Sequence, residues 1–216
     1  MNQVIFDGVA SYSDWGLFCT SVNVEEPEPK ELYIDIPFRD GSIDLTESLT
    51  GDIAYKDRKF EASFAFIGNE KEWEPLKRKV RAHLHGKRRV IETDNLKEYY
   101  LDGRCQTTFE RDGVVLRLTV AATCDTYMIK KIPTIYNVTI DSAGTKSIVC
   151  KNSRKRVIPT ITTDGEITIT FNGNSYTLDA GTHRITNIVF TEGDNNITFS
   201  GAEGTKLSVE YREGAI

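Results

Sequence analysis

Lys59-Phe60-Glu61-Ala62-Ser63-Phe64-Ala65-Phe66-Ile67-Gly68-Asn69-Glu70-Lys71-Glu72-Trp73-Glu74-Pro75-Leu76-Lys77-Arg78-Lys79-Val80-Arg81-Ala82-His83-Leu84-His85-Gly86 changes its hydrophobic period half-way along. Phe60, Ala62, Phe64 and Phe66 recur every second residue, so their side chains share one face of a half-buried strand. Beyond Gly68 the period lengthens. Trp73, Leu76, Val80 and Leu84 follow at spacings of three, four and four, one apolar stripe on a helix near residues 72–85. Gly86 stands where a C-terminal cap belongs, and Lys77, Arg78, Lys79 and Arg81 suit the negative end of the helix dipole. Asn69 and Glu72 match a capping box, whereas Pro75, comfortable only in a first turn, argues for a later start.

Outward from this stretch, strand signals dominate. Val114, Leu116, Leu118 and Val120 alternate with Arg117 and Thr119, and Asp112-Gly113 before them supplies a hairpin turn. Residues 105–111 are therefore expected to pair with 114–124. Leu32, Ile34 and Ile36 predict a short strand stopped by Pro37. Glu98-Tyr99-Tyr100-Leu101 reads as a strand ending in a turn at Asp102-Gly103.

Past Lys130-Lys131-Ile132-Pro133 the texture shifts to Thr, Asn and Gly with no helical stripe. Residues 166–171 alternate strictly into Asn172-Gly173-Asn174 and then Tyr176 and Leu178, a hairpin. Residues 184–190, 196–200 and 205–211 read as further short strands of a small antiparallel sandwich. The expected fold class is mainly β. A sandwich or barrel-like domain with one helix spans residues 1–130, and a second β-sandwich spans 131–216.

Composition narrows the function classes. The chain has 216 residues, 27% charged and 39% hydrophobic, with a formal net charge of -5. That is the composition of a soluble globular protein. A pI near 5.4 argues against general nucleic-acid binding. No apolar run approaches a membrane span of about 18 residues, so no membrane insertion is expected. The N-terminal residues lack a basic region followed by a long apolar stretch, so no secretory signal is expected. Cys19, Cys105, Cys124 and Cys150 form no CxxC pair and read as buried or half-buried thiols from a reducing compartment.

Catalytic patterns are missing. His83 and His85, two apart, cannot form an i, i+4 metal pair, and they read as helix-end residues. His183 reads as a surface residue. There is no GxSxG, GxGxxG or GxxxxGK[ST] pattern. No enzyme, cofactor or metal is expected.

Charge is segregated instead. Residues 21–61 hold eleven acidic and five basic side chains, and residues 71–89 hold eight basic and two acidic. Two solvated faces of unlike sign would produce this pattern. So would an acidic patch that meets a basic patch on a neighbouring copy and closes a ring. On the second reading Asp35, Asp44, Asp52 and Asp57 face Lys77, Arg78, Arg81 and Arg88. Residues 37–59 fit either a belt reaching that neighbour or an ordinary surface loop. In the second domain Asn172, Asn174, Tyr176 and His183 are the candidate saccharide contacts.

The order of several short segments carries a resemblance. The helix closing on Leu84-His85-Gly86-Lys87 is followed by the Val90-Ile91-Glu92 strand and then Tyr99-Tyr100-Leu101-Asp102-Gly103-Arg104. With the aromatic strand before the helix and Asp14-Trp15-Gly16-Leu17 near the start, this resembles the distal tail (Dit) proteins of siphophages over about the first 130 residues. The resemblance implies a non-enzymatic virion protein, made in the host cytoplasm and resident at the tail tip. It implies a homohexameric ring built by the first domain, with the tail tube above and a tail-associated lysin or tail-tip protein below. It also implies a galectin-like second domain on the periphery, near receptor-binding proteins or cell-wall saccharides. A carbohydrate-binding adhesin module and another tail-tube component are the competing readings.

Overall fold

The computed structural model describes residues 3–48 and 50–216. It divides into two compact units, the first running to Met128 with Ile216 and the second spanning Ile129–Ala215. The chain is mainly β. Its elements are β1 (Val4–Phe6), β2 (Val9–Ala10), β3 (Phe18–Val24), β4 (Tyr33–Asp35), β5 (Ser42–Asp44), β6 (Arg58–Ile67), α1 (Glu70–Leu84), β7 (Arg88–Thr93), β8 (Tyr99–Asp112), β9 (Val115–Cys124), β10 (Met128–Lys130), β11 (Thr134–Thr139), β12 (Thr145–Asn152), β13 (Thr160–Thr163), β14 (Ile167–Phe171), β15 (Asn174–Leu178), β16 (Gly181–His183), β17 (Gly193–Gly201), β18 (Lys206–Tyr211) and β19 (Gly214–Ala215).

The first unit is built on an antiparallel sheet of order β2-β1-β7-β8-β9-β6-β3. Long β8 makes it fold over. The early part of β8 pairs with β7, and from Gly103 onward it pairs with β9, so Gly103 is opposite both Arg89 and Cys124. Because the sheet turns this corner, Phe6 on β1 reaches Phe60 and Phe64 on β6, with ring centroids 6.5 and 6.4 Å apart. Phe6, Trp15, Phe60, Phe64, Ile91, Leu101, Leu118 and Val120 form one core with Val80 and Leu84 of the helix.

The α1 helix starts at the capping box: Asn69 Oδ1 accepts from Lys71 N at 3.1 Å, and Asn69 N donates to Glu72 Oε2 at 3.2 Å. Two orphan donors are satisfied reciprocally, which is enough to fix the start two residues ahead of the expected one. Pro75 therefore lies inside the helix, in its second turn, at the cost of one backbone hydrogen bond.

Three expectations change. Asp102-Gly103 is no turn, since β8 runs straight through it. Gly103 is needed for room: a Cβ there would lie 2.4 Å from Cys124 Sγ. The β8–β9 turn falls one residue later than expected, at Gly113-Val114, with Asp112 opposite Val115 and Val114 exposed. Residues 184–190 are not a strand. Only Phe190 bridges, to Val157, and the apolar pattern there reflects the burial of Ile188 and Phe190 in the core.

The second unit has two four-stranded antiparallel sheets, β11-β18-β13-β16 and β12-β17-β14-β15. Ile161, Leu207, Val209 and Tyr211 from the first sheet pack with Cys150, Ile169, Phe171, Ile197 and Phe199 from the second, the filling of a sandwich. The hairpin expected around Asn172-Gly173 is present, both residues having positive φ (49° and 78°).

Candidate subunit interface

Between β3 and β6 the first unit carries a two-legged arm. At its foot Lys30 N donates to Ala54 O (2.7 Å), Lys56 N donates to Glu28 O (2.8 Å), and Lys56 pairs with Glu28 at 2.8 Å. Higher up, Leu45 N donates to Leu32 O (2.8 Å), and β4 pairs with β5. The pairing of Ile34 with Ile43 gives one face of this hairpin an apolar character. Tyr33, Asp35, Ser42 and Asp44 make the other face acidic.

The alternation of Leu32, Ile34 and Ile36 foretold the strand, but its apolar face is not buried. Leu32, Tyr33, Ile34 and Ile36 are all exposed, and Phe38, at the turn with φ +67°, is entirely so. Such a cluster of exposed large apolar side chains is a mark of an interaction surface.

On its acidic side the arm opens a hollow of about 580 Å³ lined by Pro29, Glu31, Tyr33, Asp44, Glu47 and Ile53, among others. Asp44 and Glu31 together push the Tyr33 phenol above its ordinary range. Hydrogen bonds from Thr46 hold the Asp44 carboxyl below its own. Asp35 accepts from Ser42 Oγ at 2.7 Å, Asp52 accepts from Ile53 N at 2.9 Å, and Asp57 is exposed at the foot.

The basic candidates are on or just after α1. Arg78 is exposed, with Nε 3.4 Å from Glu74 O, and Lys77 pairs with Glu74 at 2.7 Å. Arg81 is stacked over the Phe109 ring at 5.1 Å. Arg88 differs from these, because Asp102 (3.1 Å) and Asp125 (2.8 Å) both hold its guanidinium and raise its pKa. It braces its own chain.

No protein-family model matches the sequence, and neither does any curated protein. The fold, however, matches the crystal structure of SPP1 Dit (gp 19.1), described as a paradigm of the hub adsorption apparatus in phages that infect Gram-positive hosts. The TM-score is 0.71, over 98% of this chain and 99% of that one, at 14% identity. The chain has the Dit fold. Both units lie within the match, so the Dit fold covers the Thr-rich second half as well as the region whose segments carry the resemblance in sequence.

Within the second unit of this Dit fold the saccharide candidates are dispersed. Asn172 and Asn174 form the β14–β15 turn. Tyr176 is opposite Ile169 on β14 and turns its ring toward the core. His183 is on the other sheet, its Nε2 2.8 Å from Asp179 O, at the end of β15 away from that turn. His83 and His85, from the helix end, contact Phe6 O (2.9 Å) and Thr107 (3.2 Å). Since Thr107 N donates to His85 Nδ1 at 3.1 Å, the neutral ring of His85 carries its proton on Nε2. No helix of the described residues is long and apolar enough to cross a membrane.

Proposed function

We propose that this protein is a structural subunit of a phage tail-tip hub. Copies of it assemble into a hexameric ring that joins the tail tube above to a tail-associated lysin or tail-tip protein below. The observation that carries the reading is the match to SPP1 Dit over essentially the whole of both chains. The exposed arm agrees with it, because an isolated subunit gains nothing from displaying Leu32, Ile34, Ile36 and Phe38 to water.

In this reading the arm grips the neighbouring subunit. Its apolar face is buried there, while Asp35, Asp44, Asp52 and Asp57 meet Lys77, Arg78 and Arg81 of the next copy's helix, a heterologous contact that closes by rotation. Arg88 takes no part in that contact, being held by Asp102 and Asp125.

Light scattering on the purified chain tests this. Six copies of 24.3 kDa give a particle of about 146 kDa. Reversing charge on one side, Asp35→Lys with Asp44→Lys, should dissociate it, and adding Lys77→Glu with Arg78→Glu should restore it. A monomer at every concentration would refute the self-assembly. An oligomer indifferent to both reversals would refute this interface.

A further inference from the structure

Among the described residues Arg58 is the only charged side chain that is buried, at 2% exposure. It is the first residue of β6, where the returning leg of the arm enters the sheet, and it is opposite Cys124 at the end of β9. A buried charge is costly unless it is paired, yet neither of its hydrogen bonds reaches a carboxylate. Nε donates to Thr126 O at 3.2 Å and Nη1 donates to Glu25 O at 3.0 Å, while Nη2 is buried with no partner. A residue that costs stability in this way is explained by what it joins.

Three segments meet at this guanidinium. Glu25 is on the outgoing leg, where its N donates to Lys59 O at 2.9 Å, and the chain continues into the arm through buried Pro27. Lys56 and Arg58 are on the returning leg. Thr126 is on neither leg: it follows β9, in the stretch through which the chain leaves the first unit, which runs to Met128. Thr126 is tied to the returning leg twice, since its Oγ1 also donates to Lys56 O at 3.0 Å. One residue earlier, Asp125 N donates to Asp102 O at 2.8 Å and the Asp125 carboxylate pairs with Arg88 at 2.8 Å. The exit segment is therefore held by β7 and β8 on one side and by the foot of the arm on the other.

The tie through Arg58 is stiff. A guanidinium is planar, so Nε and Nη1 keep a fixed spacing. Being buried, it has no water to take the place of a lost carbonyl. With Nη2 already unpartnered, losing Glu25 O would leave two of its three nitrogens without an acceptor, which a charged donor resists strongly. Displacing Glu25 therefore draws Arg58 along, and Thr126 with it. We infer that Arg58 couples the arm to the exit segment, residues 125–128, so that whatever holds or displaces the arm changes the freedom of the stretch leading into the second unit. Every group involved lies in the first unit, so the coupling stands apart from the ring reading.

Hydrogen-exchange mass spectrometry of the full chain tests this. One window is the foot of the arm, peptides carrying the bonded amides of Lys30 and Lys56; the other is the exit, peptides carrying residues 125–128. Pro27→Gly alters the arm alone. It should speed exchange about threefold at the foot, the effect of a freed backbone, and by a similar factor at the exit, with β7 peptides unchanged. Arg58→Met, which keeps an apolar stem and removes the fork, should by itself speed the exit at least about tenfold, the loss of a hydrogen bond to a charged group. In that background Pro27→Gly should add nothing at the exit. Exit exchange that Pro27→Gly leaves unchanged overturns the inference, as does an acceleration there that is the same with and without Arg58. A rise that extends equally to the β7 peptides is general loosening and overturns it too. Should Arg58→Met fail to fold, the response of the exit to Pro27→Gly in the otherwise unaltered chain decides.

Discussion

Replacing Gly103 with alanine should destabilise the first unit by an amount the geometry sets. The new methyl would lie 2.4 Å from Cys124 Sγ and 3.0 Å from both Cys124 Cα and Thr123 O. Two of those three atoms are backbone of the paired strand and cannot rotate away. Overpacking costs about 1–3 kcal/mol, and a clash with main chain at the point where β8 changes partner belongs at about 3 kcal/mol. For a urea m-value of about 2 kcal/mol per M, the midpoint falls by about 1.5 M. Tryptophan fluorescence is the assay, because both tryptophans, Trp15 and Trp73, are buried in the first unit and report on it alone. Removing the sulfur as well, in Gly103→Ala with Cys124→Ala, should recover about 1 kcal/mol relative to the sum of the single changes. A midpoint within about 0.3 M of wild type would refute the account of the corner, leaving Gly103 as an ordinary strand residue.

Two further predictions concern titration. Burial pushes the Glu213 carboxyl up, but hydrogen bonds from Lys130 (2.7 Å), Thr134 (2.6 Å) and Ser153 (2.8 Å) outweigh it and hold the group below its ordinary 4.5. A folded pKa below the unfolded one gives stability that is present above about pH 4.5 and lost as pH falls through the folded value. Calorimetric unfolding should therefore find Glu213→Gln less stable than wild type at pH 7, with the gap closing below about pH 4.5; a gap independent of pH would contradict the assignment. Burial also raises the thiols of Cys105, Cys124 and Cys150, to about 11, 12 and 12. A disulfide reagent at pH 8 should modify only half-buried Cys19 in the native state and all four thiols in urea. Rapid native modification of a second thiol would sink that prediction.

The parts of this fold legible from the chain alone are those in which interacting residues are neighbours along it. Asn69 and Glu72, three apart, announce the helix start. Asn172-Gly173 announces a hairpin because both residues accept the left-handed backbone the turn requires. Phe60, Ala62 and Phe64 disclose a buried face by their period, as do Leu116, Leu118 and Val120. From such signals follow a mainly β chain, one helix, and the order of segments that resembles the distal tail proteins.

What the tertiary structure decided involves residues far apart in sequence. Gly103 has the composition of a turn, and only the approach of Cys124 from another strand shows that it is a corner. The alternation of Leu32, Ile34 and Ile36 specifies a strand with an apolar face, yet nothing in their spacing says whether the same chain covers it. Ile188 and Phe190 have the pattern of a strand and the burial of a core loop. Asn137, Ser208 and Thr162 come into one row only because β11, β18 and β13 lie side by side. Turns and caps are fixed by the dihedral preferences and hydrogen bonds of a few consecutive residues. Sheet order and a face left uncovered arise from long-range packing, which no local pattern records.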